Sequence, residues 1–144
     1  MTSLVETARF LQIPGKDRPL TSPLQFIEFL EKGLPLSSIE RIAEALAPRD
    51  VEFRYHIVPR ATFARMKVEK RRLNKTQGEL VARLAEVWTD ALRVWKSEED
   101  ARSFLTRKHP LLENNRPIDL ALQSGIGAQL VRDILGRLED GTAV

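Results

Sequence analysis

The sequence contains no cysteine, which excludes disulfides and thiolate metal sites and fits a cytoplasmic protein without requiring one. Histidine is nearly as scarce. His56 and His109 stand far apart without companion ligands at metal spacing, so each reads as a structural or surface residue. No apolar run approaches the roughly 20 residues that span a bilayer. The opening Met1-Thr-Ser-Leu-Val-Glu lacks the basic and apolar regions of a secretory signal. Glycine is sparse too, and Gly125-Ile-Gly127 lacks both the preceding strand and the third glycine of a dinucleotide loop. The serines fall where helix caps are expected, and capping explains them without a nucleophile. These absences predict a cytoplasmic protein with no membrane partner, no cofactor, no metal and no catalytic site of its own.

What is present is enough for a core: 144 residues, 42% apolar and 30% charged, suffice for one compact domain or two small helical ones. The net charge is only +3, but it is unevenly spread. Residues 49–83 hold ten basic groups against four acids, a local charge of +6, while residues 1–48 come to −1 and residues 84–144 to −2. A near-neutral body with one basic middle segment attracts polyanions locally, although a solvated basic face would look the same.

Along the chain, residues 1–22 show weak periodicity and contain the turn signal Pro14-Gly15, so an N-terminal arm is expected, with a short helix over Ser3–Leu11. Ser22-Pro-x-Gln25 then opens a helix with Phe26, Ile27 and Leu30 on one face, closed by Lys32-Gly33. Ser37-x-x-Glu40 opens a second, with Ile39, Ile42, Ala43 and Leu46 inward. Thr76-x-x-Glu79 opens a longer one carrying Leu80, Leu84, Val87, Trp88, Ala91, Val94 and Trp95. Trp88 and Trp95 read as core or as a dimer seam. Ser97-x-x-Asp100 starts another, with Ala101, Phe104 and Leu105 inward. A single alternating run, Val51, Phe53, Tyr55 and Ile57, has no evident partner strand, so the fold class is all-α.

The basic segment has its own punctuation. Pro48 can begin a short helix running to about His56, and Pro59 disfavours helical backbone at Val58. Pro59 can also start a new helix through Arg60–Lys67. Two short helices across a tight turn make a helix-turn-helix, whose second helix presents its N-terminal residues to base edges in the major groove. Arg60, Thr62 and Arg65 are the candidate base-reading residues, beside Ala61. An arginine can pair with guanine, and a threonine can bond a base or offer its methyl to thymine. Lys67, Lys70, Arg71 and Arg72 complete the candidate DNA-binding set, the last three lying near the flanking phosphates. Phe53, Ile57, Phe63 and Met66 would pack the two helices together.

The C-terminal stretch Arg116–Gly141 reads as two helices. Pro117 suits a first helical turn. Gly125 and Gly127 are expected to end that helix. Leu130, Val131, Ile134, Leu135 and Leu138 recur as one face of a second helix, which stops at Gly141. That helix closes three residues before the last residue and is expected to be free to probe a neighbour.

The series of parts resembles the Xre/MbcA/ParS antitoxins over roughly residues 23–141. It comprises Gly33-Leu-Pro35 and its following helix, the Pro-Arg-x-Thr start at Pro59, Arg72-Leu73, the cap Thr76 with Glu79, Arg83-Leu-Ala, Ala91 to Val94, Glu98 to Ala101, Phe104-Leu105, and Pro117-Ile-Asp-Leu with the terminal helix. His109–Asn115 departs from the Gly-rich loop common in such proteins, Phe104 takes a place often held by tryptophan, and Gly78-Glu79 replaces a usual Glu-Ser.

The resemblance implies an N-terminal arm (residues 1–22), a helix-turn-helix DNA-binding domain of the Cro/Xre type (23–80) and a small helical toxin-binding domain (81–144). It implies a type II antitoxin paired with a RES-domain toxin that degrades NAD, encoded by the adjacent gene. The chain would bind its own promoter DNA as a homodimer and tune transcription together with the toxin. The implied toxin-binding residues are Asn115, Arg116, Leu138, Glu139, Asp140, Gly141, Thr142 and Val144, obstructing the NAD pocket. The competing reading is a free-standing helix-turn-helix transcriptional regulator with a helical dimerisation domain.

Overall fold

The computed structural model describes residues 2–141. Among them the regular structure is helical, with isolated bridges at Gly15–Arg18 and His109–Asn115 and no strand. The chain divides into two compact units between Ala85 and Glu86. The all-α expectation holds.

The first unit begins with α1 (Thr2–Leu11). The segment expected as an arm is folded: Ala8, Leu11, Ile13 and Leu20 are buried, because their apolar area is stabilised by removal from water. Helix α2 (Pro23–Lys32) starts as expected, with Ser22 Oγ accepting from the Gln25 amide at 3.3 Å. The return arm of the box is displaced by one residue, since Gln25 Oε1 accepts from the Thr21 amide at 2.8 Å. Phe26 is buried, but Ile27 is 52% exposed. It lies about 100° around the helix from Phe26, off the stripe that Phe26 and Leu30 share.

Helix α3 (Ser37–Leu46) buries Ile39, Ile42, Ala43 and Leu46 as the spacing predicts. Its cap position is Leu36, with no side-chain cap, so Ser37 lies inside the helix and does not open it. The tight bonds Ser38 N–H to Pro35 O and Ile39 N–H to Leu36 O start the helix instead.

The alternating run 51–57 forms no strand. It supplies turns and then α4, which is only Arg54–Ile57 and starts six residues beyond the expected Pro48. Asp50 explains the delay. Its Oδ1 accepts from the Glu52 amide at 3.0 Å, an Asx turn that competes with helix. Val58 is extended (φ −136°, ψ 128°), as a residue before proline should be, and α5 (Arg60–Glu69) follows.

Beyond α5 the chain crosses back over the α2–α3 connection. Leu73 N–H donates to Leu34 O at 2.9 Å, and Arg72 Nη1 donates to Gly33 O at 3.0 Å. Gly33 has φ 99°, and a Cβ there would sit 2.8 Å from Leu73 O. Only glycine fits that crossing.

Helix α6 (Lys75–Trp95) runs through the boundary between the units. Its cap is not Thr76 with Glu79. Asn74 Oδ1 accepts from the Gln77 amide at 2.8 Å, and Gln77 Oε1 accepts from the Asn74 amide at 2.9 Å. The amide side chains form the reciprocal box two residues early.

In the second unit, α7 (Glu98–Thr106) is capped by Ser97 as predicted. A 3-10 turn over Pro110–Leu112 precedes α8 (Pro117–Gln123) and α9 (Gly125–Glu139). Helix α8 packs on both α7 and α9. Trp88, Ala91, Leu105, Ala121, Val131 and Leu135 belong to its core. Of the tryptophan pair, Trp88 is therefore unavailable as a seam, whereas Trp95 is 37% exposed and lies beside Phe104, ring centroids 5.8 Å apart.

The two glycines do not end α8; they form the first turn of α9. Ser124 ends one helix and caps the next, its Oγ accepting from the Gly127 amide at 2.9 Å. A Cβ on Gly127 would lie 2.1 Å from Leu120 O, so the glycine is required by close approach of the two backbones.

Candidate functional site

In the first unit the expected DNA-binding residues gather on and just after α5. Phe53, Ile57, Phe63 and Met66 are all buried and join α4 to α5, as the spacing predicts. Tyr55 meets Phe63 edge-on at 6.0 Å and lies under the Arg60 guanidinium, 4.1 Å from ring centroid to Arg60 Cζ. Arg60 also pairs with Glu52. The stacking and the ion pair hold the first cation of the helix in an oriented pose while its side chain stays exposed. Tyr55 and Glu52 are orienting residues that sequence spacing did not reveal, because neither falls on a motif position.

Arg65 lies 4.0 Å from Glu69, and Glu69 lies 3.2 Å from Arg71. Among the described residues no ion pair holds Lys67 or Lys70. Lys70 also has a backbone task. It ends α5 in the left-handed conformation (φ 57°), and the Arg71 amide then donates to Met66 O at 2.9 Å, a Schellman-type stop without glycine. Two members of the set stand apart. Thr62 is half-buried on the flank of the helix, and Arg72 is tied to Gly33 O. The outward face consists instead of Ala61, Ala64, Arg65 and Val68.

In the second unit the expected residues fall into two groups. Asn115 and Arg116 close the loop before α8. Asn115 Nδ2 donates to Leu112 O at 2.9 Å, and its carbonyl accepts from the His109 amide at 3.1 Å. Arg116 makes a two-pronged bond to Asp119, 2.9 Å on each arm, so its guanidinium orders the first turn of α8. Leu138, Glu139, Asp140 and Gly141 lie together at the end of α9. Leu138 is half-buried and lines a groove of about 440 Å³ with Trp95, Phe104 and His109. Glu139 is exposed and lies 3.7 Å from Arg93, Asp140 occupies the cap position, and Gly141 has φ 76°. Thr142 and Val144 lie outside the described residues.

A charge cluster fixes α9 on the C-terminal part of α6. Arg132 Nε meets Asp90 Oδ2 at 2.7 Å, and its Nη1 meets Glu86 Oε2 at 2.6 Å. Arg93 adds a contact to Asp90 at 3.3 Å. Burial raises the Glu86 carboxyl above its ordinary range; Arg132 opposes the shift and Asp90 reinforces it. Arg132 is thus the hub through which the last helix is oriented. Its position on α9 looks like an ordinary exposed arginine in sequence, since its partners lie more than 40 residues away.

Among the described residues no group of three or more potential ligands could hold a metal ion, and no helix is long and apolar enough to cross a membrane. The geometry offers two surfaces for macromolecules, a cationic helix in one unit and an oriented helix end in the other.

Residues 25–86 match the family model of the antitoxin Xre-like helix-turn-helix domain. Residues 90–141 match that of the antitoxin Xre/MbcA/ParS C-terminal toxin-binding domain. No curated protein matches the chain.

Proposed function

The chain belongs to the Xre-type antitoxins of type II toxin–antitoxin systems, and from that premise we propose that it neutralises a RES-domain, NAD-degrading toxin and represses its own promoter. The observation that carries the reading is the tandem order of the two matched domains on one chain. A toxin-binding domain beside a DNA-binding domain allows one molecule to inhibit an enzyme and regulate that enzyme's gene.

In this reading a homodimer in the cytoplasm presents two α5 helices to the promoter, with Arg60 and Arg65 toward bases. Lys67, Lys70 and Arg71 meet phosphates, supplying affinity and register rather than sequence preference. Thr62 and Arg72 stand at the edge of that contact. The end of α9 carries Leu138, Glu139, Asp140 and Gly141, with Thr142 and Val144, toward the mouth of the toxin's NAD pocket. Asn115 and Arg116 form the second contact, on the α8 side. Binding there stops turnover by excluding substrate and asks no chemistry of the antitoxin.

NAD hydrolysis by the product of the adjacent gene, measured with and without this protein, tests the proposal. Loss of activity at near-equal concentrations, with both proteins co-eluting on a sizing column, is the expected result. Unchanged hydrolysis and no complex would overturn the toxin assignment. Truncation after Ile134 should leave the activity uninhibited; full suppression by the truncated chain would remove the helix end from the contact.

A further inference from the structure

The face that α5 turns away from the core differs from its surroundings. Phe63 and Met66 point inward, and the opposite side carries Ala61, Ala64, Arg65 and Val68, with Val68 81% exposed. A valine gains no stability there. Its branched side chain lowers helix propensity and leaves apolar area in water. Around this strip stand cations: Arg65 on it, Lys67 on its flank, Lys70 and Arg71 beyond its end, and Arg60 at its start, where Tyr55 and Glu52 orient the guanidinium.

An apolar strip bordered by positive charge complements a major groove whose lips are phosphates and whose floor bears thymine methyl groups. Ala61 to Val68 spans about 10 Å at the helical rise, comparable with a groove about 12 Å wide. Thr62, the side chain whose methyl could have served, is half-buried on the flank.

We propose that Val68, with Ala61 and Ala64, reads thymine 5-methyl groups in the operator, while Arg65 supplies the polar base contact of this face. The inference rests on the DNA-binding reading above and specifies which base chemistry that helix selects. Operators would be rich in thymine at the positions facing the strip, and their recognition would be apolar where it is commonly sought in hydrogen bonds.

The probe is the promoter segment that the full chain protects from nuclease, synthesised once with thymine and once with deoxyuridine, which lacks only the methyl. The deoxyuridine duplex is expected to bind roughly fourfold more weakly for each contacted methyl removed. Val68→Ala keeps a good helix former at an exposed site. It should weaken binding to the thymine duplex and shrink the difference between the two duplexes, with circular dichroism unchanged. Equal affinity for both duplexes overturns the proposal. So does a difference that Val68→Ala leaves intact, because the loss then arises in the duplex and not in a protein contact. If no promoter segment is protected from nuclease, the DNA-binding reading itself is overturned, and this inference with it.

Discussion

Single residues in this protein carry more than their types suggest, and Gly127 and Glu86 show two ways. Gly127 has an ordinary helical backbone, so any residue could adopt its conformation; what excludes a side chain is Leu120 O, 2.1 Å from where a Cβ would be. Gly127→Ala should therefore destabilise the C-terminal unit by about 1–3 kcal/mol, as overpacking does. Thermal denaturation followed by circular dichroism checks it. Glu86 is held by Arg132 yet keeps its proton to higher pH than the ordinary carboxyl value of 4.5, because burial outweighs the pairing. A carboxyl whose folded pKa exceeds its unfolded one binds its proton more tightly when folded, so stability falls as pH rises through the interval from 4.5 to the folded pKa. Glu86→Gln should flatten that part of the stability profile. Urea denaturation at a series of pH values reads the effect, and an unchanged slope would contradict the direction given for Glu86.

Helix ends decide most of the elements. Asn74→Ala removes one arm of the box that starts α6 and should cost about 1 kcal/mol, read as a lower urea midpoint, whereas Thr76→Ala should cost little. The elements themselves were legible in the sequence because their apolar spacing was clear. Helix α3 buries its predicted inward residues, and α9 buries Val131, Ile134 and Leu135 of its predicted face while Leu130 at the edge of that face stays 48% exposed. Val58 breaks where Pro59 demands. Starting points were less legible because several polar residues compete for each cap. Asn74 and Gln77 win over Thr76 and Glu79, and the Asp50 turn delays α4. Asn74-x-x-Gln77 and Thr76-x-x-Glu79 have the same spacing, so spacing does not choose between them. The candidate sites divide in the same way. Arg65, Lys67 and Lys70 could be read from local charge, but Arg132, Tyr55 and Val68 become visible only when distant segments meet or when one side of a helix is left uncovered.

At the scale of the whole molecule, the proposed DNA contact and the proposed toxin contact fall in different matched domains and should be separable. Arg60→Ala combined with Arg65→Ala should lower promoter affinity at least about tenfold, since each good base contact discriminates by about 1–3 kcal/mol. Inhibition of the toxin by the same variant should be unchanged, because both residues belong to the first unit. Electrophoretic mobility shift and NAD hydrolysis, measured on one preparation, check the two halves together. A variant that lost both activities would place the arginines in the fold and not in the DNA contact.

The junction at Ser124 also bears on how this chain can change length. One residue both ends α8 and caps α9, so the connection has no slack. A residue added there must lengthen one helix by a step, and a step turns every later side chain by about 100°. Val131 and Leu135 would leave the core, and Leu138 would face elsewhere. The segment between α1 and α2 faces no such restriction. Insertions and deletions among related sequences should therefore collect before α2 and be missing from Gln123 to Gly127, a pattern that sequence comparison alone can read.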